Sequence, residues 1–235
     1  MNLLVLGKGK MGSMIIELAQ QRGHTVRAHD EFDNIKASML TPEHLRDIDV
    51  VVDFTIPGVV IENLEAVARA GKNMVVGTTG WYNELPRVRE IVARSGIGFL
   101  YAANFSIGVA IFMEIARAAA AALKQGYNGQ IMERHHVHKK DAPSGTAVKL
   151  QGVLEEAGGK KLEIQSIREG ETVGMHVILL DSPNDTIMLT HDAKSRRGFA
   201  EGAVLAAEWM AGKKGFFEFK DMLRETALAK AESHK

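Results

Sequence analysis

A chain of 235 residues can bury a large core, as one sizeable domain or two small ones. Its 46% hydrophobic and 25% charged residues are ordinary for a soluble globular protein. The 29 basic residues balance the 29 acidic ones and cysteine is absent, which argues against a broad basic field for nucleic acid or membrane and excludes disulfides, thiolate chemistry and cysteine-based metal sites.

The opening MNLLVLGKGKMG has no charged segment ahead of its short apolar run, so no signal peptide is expected, and the lack of cysteine suits a reducing cytoplasm. Leu3 to Leu6 reads as a buried strand. Gly7-Lys8-Gly9-Lys10-Met11-Gly12 follows, then a helical pattern from Met11 to Gln21, closed by Gly23. His24 to His29 reads as a second strand with Asp30 at its end. Strand, GxGxxG, helix, strand and acid in that order point to a dinucleotide, with its pyrophosphate at the helix N-terminus. In that reading Gly7 permits the tight turn, Gly9 lets the backbone approach phosphate, and Gly12 lets helix and strand pack closely. A ligand-free glycine-rich turn is the plainer alternative. Asp30 fits a contact to the adenosine ribose, favouring NAD over NADP, but aspartate is also a common turn residue.

Val50 to Phe54, Asn73 to Val76 and Gly98 to Tyr101 are further apolar strands, separated by helical patterns at about 59–70 and 84–95. The alternation implies a doubly wound parallel sheet, a Rossmann-type α/β fold. Polar or glycine-rich clusters follow the strand ends, where such sheets bind ligands. Gly77-Thr78-Thr79 and Ala102-Ala103-Asn104-Phe105 are therefore candidates for the nicotinamide half of the cofactor. The uncharged run Ser95 to Met113 has the length of a membrane span, but its glycines, Tyr101, Asn104 and Ser106 divide it into strand, turn and helix.

A long helix is expected over Phe105 to Lys124, after which the pattern changes. Gln130 to His136 alternates, with Ile131, Glu133 and His135 on one side. Strands are expected at 164–168, 173–180 and 186–191, the last two as an antiparallel hairpin around Ser182-Pro183-Asn184-Asp185, and helices at 199–211 and 216–231. The expected organisation is a dinucleotide-binding domain over 1–106, joined by returning helices at about 196–235, and a smaller α+β domain over 107–195 for substrate binding and oligomerisation.

Glu133 to Ala147, ERHHVHKKDAPSGTA, concentrates His135, His136, His138, Lys139 and Lys140 ahead of a helix start at Ser144-Gly145-Thr146. Histidine suits proton transfer near neutral pH, and helix-start N–H groups beside a lysine suit a carboxylate. Adjacent histidines on an extended strand diverge, which disfavours zinc; a solvated basic loop is the other alternative.

The pattern Glu-x-His-His-x-x-Lys-x-Asp-Ala-Pro-Ser-Gly-Thr-Ala resembles the signature of the 4-hydroxy-tetrahydrodipicolinate reductase family, of the diaminopimelate and lysine pathway. Asp53-Phe54-Thr55, Gly77 to Gly80, Ala102 to Ser106, Arg168-x-Gly170, Gly174-x-His176 and Ser195-Arg196-x-x-Phe199-Ala200 extend the resemblance over essentially the whole chain. It implies hydride transfer from NADH or NADPH to a cyclic dicarboxylate imine, with loss of water. It implies His135 as general acid/base and Lys139 as second proton donor. It implies His136, Gly145 and Thr146 as substrate-carboxylate contacts, and the helix start adds the Ser144 amide as a further contact to the same carboxylate as Gly145 and Thr146. Gly7, Lys8, Gly9, Lys10, Met11 and Gly12 match the pyrophosphate loop, and Asp30 the ribose contact. Gly77, Thr78, Thr79, Ala102, Ala103, Asn104 and Phe105 match the nicotinamide side. It further implies a cytoplasmic homotetramer assembled through the second domain's sheet, with no metal, nucleic acid or membrane partner. The glycine loop is one residue shorter than in several better-known members, and His138 and Lys140 acquire no role. Competing expectations are a related Rossmann amino-acid dehydrogenase acting on another carboxylate, and a non-catalytic nicotinamide-binding sensor.

Overall fold

The computed structural model describes residues 1–30 and 32–232. The chain divides into two compact units, Met1–Ser106 with Phe199–Lys235, and Ile107–Gly198. Positions 233–235 of the expected returning segment lie outside the described residues.

In the first unit β1 (Asn2–Leu6), α1 (Lys10–Gln21), β2 (Thr25–His29), β3 (Val50–Asp53), α2 (Val60–Arg69), β4 (Asn73–Val76), α3 (Leu85–Ser95) and β5 (Gly98–Tyr101) alternate as their apolar runs predict. β3 and β4 are buried along their whole length, as strands covered on both faces must be. Leu4, Leu6, Val51, Met74, Val76 and Phe99 join Leu64 and Val67 of α2 and Val88 of α3 in one core. Gly96 closes α3 in the left-handed conformation.

The second unit runs α4 (Ile107–Ala119), α5 (Ala121–Lys124), β6 (Asn128–His135), α6 (Gly145–Gly158), β7 (Glu163–Arg168), β8 (Gly174–Asp181) and β9 (Thr186–Ala193). The single helix expected over 105–124 is thus two, starting later and breaking after Ala119. The sheet order is β7-β6-β8-β9. β6 and β7 are parallel across the α6 crossover, and β8 and β9 form the antiparallel hairpin, its turn held by Ser182 Oγ accepting from the Asn184 and Asp185 amides at 3.2 and 3.1 Å. The apolar stripe of α6, Leu150, Val153 and Leu154, packs with Phe112, Ala116, Ile131 and Ile178.

The chain then returns through α7 (Arg197–Met210), β10 (Gly215–Glu218) and α8 (Phe219–Glu232). β10 corrects the helix expected from Phe216. It adds a sixth parallel strand outside β5, giving the order β10-β5-β4-β3-β1-β2. Phe216 stacks on Phe99 with ring centroids 5.6 Å apart, and a pairing edge outweighs the local helical pattern. The 95–113 stretch folds as the end of α3, β5, a loop and α4, and no helix among the described residues is long and apolar enough to cross a membrane.

Candidate active site

Gly7, Lys8 and Gly9 make the whole connection from β1 to α1. Gly7 has φ +92, and a Cβ there would lie 2.4 Å from the Phe54 carbonyl oxygen. A Cβ at Gly12 would lie 1.8 Å from the Gly7 oxygen, so helix and loop meet backbone to backbone. Around Gly9 nothing comes within 4 Å. Two glycines fold the loop, and the third leaves open ground over a helix start whose first N–H groups have no partner within the helix, ground that fits a pyrophosphate. Lys8 and Lys10 are exposed beside it, and Met11 is half-buried.

Asp30 directly follows β2, and its carboxylate accepts from the Phe32 and Asp33 amides at 2.9 and 3.1 Å. Lys8 Nζ sits 3.2 Å from Asp30 Oδ2 and 3.0 Å from Asp33 Oδ2. The Asp33 amide first, then Lys8, hold the Asp30 carboxyl below its usual range. Asp30 is therefore a turn residue and a carboxylate at the strand's ligand-binding end at once, because a carboxylate has acceptor positions for both.

At the ends of β3 and β4 the fully buried Asp53 organises the loops. It accepts from Thr55 Oγ1 at 2.6 Å, Thr78 Oγ1 at 2.9 Å and Asn63 Nδ2 at 2.9 Å. Gly77 seats the Phe54 ring, which a Cβ would meet at 2.1 Å. Phe105 is buried against Phe54 and Phe219, and Asn104 Oδ1 accepts from the Ser106 amide at 2.8 Å. Of the nicotinamide-side candidates, Gly77, Thr78 and Phe105 shape the loops from inside, while Thr79 and Ala103 are exposed at their tips and Ala102 is half-buried.

In the second unit β6 carries Ile131, Glu133 and His135 inward, as its alternation predicts. Glu133 is fully buried and His135 nearly so. His135 Nδ1 bonds the Glu133 carboxylate through Oε2. Arg168, at the end of β7, forks onto that carboxylate, Nη1 to Oε2 at 3.1 Å and Nη2 to Oε1 at 2.8 Å. The Ser144 amide adds a bond to Oε1 at 3.3 Å. Burial would raise the Glu133 carboxyl, but the donors, Arg168 foremost, outweigh it and bring it down to about 2. Burial holds the His135 imidazole below its ordinary value, with the Glu133 charge pulling the other way. His176 of β8 lies beside it, ring centroids 5.3 Å apart, and burial takes that imidazole down to about 4.

His136 diverges from His135. Its amide donates to the Thr172 carbonyl at 2.8 Å, and its ring faces Arg196, Nε2 to Nη2 at 3.4 Å. Lys139 Nζ donates to Asp141 Oδ1 at 2.7 Å. Lys139 first, and backbone amides including that of Gly145, keep the Asp141 carboxyl low. The lysine and the helix start thus meet on one internal carboxylate, that of Asp141. Ser144 is committed elsewhere. Its amide serves Glu133, and its Oγ accepts from the Ala147 amide as helix cap and contacts His176 Nε2, both at 3.2 Å. Gly145 and Thr146 stand at the first two positions of α6. Lys140 and His138 are exposed, His138 3.7 Å from Glu171.

The roles of Glu133, Arg168, His176 and Asp53 escaped the sequence reading, although the residues stood in quoted motifs. Glu133 left one signal, a carboxylate on the inward face of a strand between Ile131 and His135.

A parallel sheet with an open glycine loop, and a separate unit holding a buried imidazole beside a lysine and a helix start, have the parts of a nicotinamide-nucleotide-dependent oxidoreductase. Residues 1–105 match the family description "Dihydrodipicolinate reductase, N-terminus" and residues 108–223 "Dihydrodipicolinate reductase, C-terminus". The chain belongs to the dihydrodipicolinate reductase family. It is 36% identical to the 4-hydroxy-tetrahydrodipicolinate reductase of Christiangramia forsetii, covering 96% of this chain and 98% of that one. It is also 36% identical to the namesake from Natronomonas pharaonis, over 94% and 99%. Among solved structures, the dipicolinate-bound dihydrodipicolinate reductase of Paenisporosarcina sp. TG-14 shares the fold, with TM-score 0.78, 23% identity and coverage of 94% and 98%.

Proposed function

We propose that His135 is the proton donor in the NADH- or NADPH-dependent reduction of 4-hydroxy-tetrahydrodipicolinate to tetrahydrodipicolinate, the step of lysine and diaminopimelate biosynthesis that this family performs. The observation that carries it is the buried His135, whose Nδ1 is fixed on Glu133 beside Lys139. When bound, the reduced nicotinamide supplies a hydride to the substrate carbon. The substrate's hydroxyl leaves as water to give the conjugated imine; the hydride's addition at carbon sends electrons toward the ring nitrogen, and His135 supplies from Nε2 the proton that balances the hydride, with Lys139 stabilising the charge and serving as second donor. Gly145 and Thr146 at the α6 start hold one substrate carboxylate, and His136 with Lys139 the other.

Gly7 to Gly12 hold the pyrophosphate, Asp30 the ribose, and the loops at 77–79 and 102–105 the nicotinamide. The dicarboxylate is the small-molecule partner. The enzyme works in the cytoplasm as a homotetramer, for which the eight-residue edge strand β9, with Met188 64% exposed, offers a pairing surface.

The test couples the purified protein to the upstream synthase and follows loss of reduced-nicotinamide absorbance. His135→Gln is expected to lower turnover by roughly 10²–10⁴ with NADH affinity retained. Wild-type turnover in that variant removes His135 from the mechanism.

A further inference from the structure

A buried carboxylate must be paired, and one arginine fork would suffice for that. Glu133 does more, because its Oε2 serves His135 Nδ1 as well as Arg168. Arg168 turns its terminal nitrogens onto the chain itself. Nη1 also donates to the Ile167 carbonyl at 2.7 Å and Nη2 to the Asp141 carbonyl at 2.6 Å. With the two bonds to Glu133, all four hydrogens of its terminal nitrogens are used inside the chain, so it is not a substrate ligand. Gly174 completes the arrangement on the other side of the ring, since a Cβ there would lie 2.9 Å from His135 Nε2. The ring is anchored at one nitrogen and given room at the other.

We propose that Glu133 is the positioning residue of the proton donor. It holds the His135 ring with Nε2 as its only outward nitrogen and supplies the negative charge that lets the buried ring take up a proton, while Arg168 keeps Glu133 ionised and in place. The proposal rests on the reading of His135 as proton donor. The charged and titratable groups facing the ring are Glu133 on its own strand, Arg168 from β7, His176 from β8, and Lys139, paired with Asp141, from the loop after β6. Among them only Glu133 pulls the ring toward its charged form. A plain structural ion pair would hold the strands together without setting the ring's charge.

The test is an NMR titration of the His135 ring, alongside the pH profile of kcat, in three variants. Glu133→Gln keeps an acceptor for Nδ1 but removes the charge. The His135 titration is expected to move to lower pH, and the alkaline fall of kcat to move to lower pH with it. Arg168→Gln removes the donor that keeps Glu133 ionised and is expected to move the His135 titration in the same direction, to lower pH. Glu133→Asp, which keeps the charge, is expected to recover much of the wild-type titration. If Glu133→Gln does not fold, the downward shift in Arg168→Gln still decides. A His135 titration unmoved in each folded variant, with activity falling only as the folded fraction falls, overturns the proposal. Wild-type turnover in His135→Gln would instead strike the proton-donor reading, while the ring titrations would still report on Glu133.

Discussion

At the scale of single residues, the second unit's chemistry depends on what stands next to His135. Gly174 occupies the position where any side chain would press on Nε2 of a ring that Glu133 prevents from swinging away. Gly174→Ala is expected to lower turnover by about 10²-fold, the scale of a misplacement near 1 Å, with NADH affinity unchanged. Steady-state kinetics with a separate cofactor titration measures this, and a wild-type rate would show that Nε2 needs no such clearance. The His135 motif and the glycine loop were legible in the sequence because their parts are adjacent in the chain. The Glu133–Arg168 fork joins residues 35 apart, and nothing in the local pattern of either strand announces the pairing. Ser144 carries bonds that the local sequence does not announce: besides suggesting a ligand contact as a helix-start serine, it caps its own helix and bonds Glu133.

At the scale of elements, the alternating strands and helices could be read in order because their apolar runs and glycine stops are strong local signals. β10 could not, since four residues declare themselves a strand only through the neighbour they pair with. Asn73 at the start of β4 anchors that return. Its Nδ2 donates to the Met210 and Lys213 carbonyls at 2.7 and 3.0 Å, and its Oδ1 accepts from the Gly98 amide at 2.7 Å. Asn73→Ala leaves these buried groups without their partner and is expected to cost about 2–4 kcal/mol in urea denaturation. A loss below about 0.5 kcal/mol would mean that the return is held by the Phe216 stacking alone.

At the scale of the whole molecule, acid stability should be governed by the buried groups of the second unit. His176 is 4% exposed, and its folded-state value of about 4 lies below the ordinary 6.5. The unfolded chain therefore binds more protons between those values, so stability falls as pH drops from about 6.5 to about 4, by roughly 3 kcal/mol. Glu133, depressed from 4.5 to about 2, extends the same loss to lower pH. Urea denaturation across pH 7 to 4 should show the decline, and His176→Phe should flatten it above pH 4.5. A slope unchanged in that variant would place the acid-sensitive group elsewhere.

The return of the chain to its first sheet also sets an order of events during synthesis. Residues 107–198 are contiguous, so the second unit has all its parts once they are made. The first unit does not. Until residues 215–218 emerge from the ribosome, β5 is a sheet edge with unpaired backbone groups, and the Phe99 and Tyr101 rings lack the Phe216 ring that packs on them. The unit made in part before the second unit is thus completed only after it. A nascent chain stalled, or one clipped, between residues 199 and 214 would present that open edge to chaperones and proteases beside a second unit that already has every strand of its own sheet.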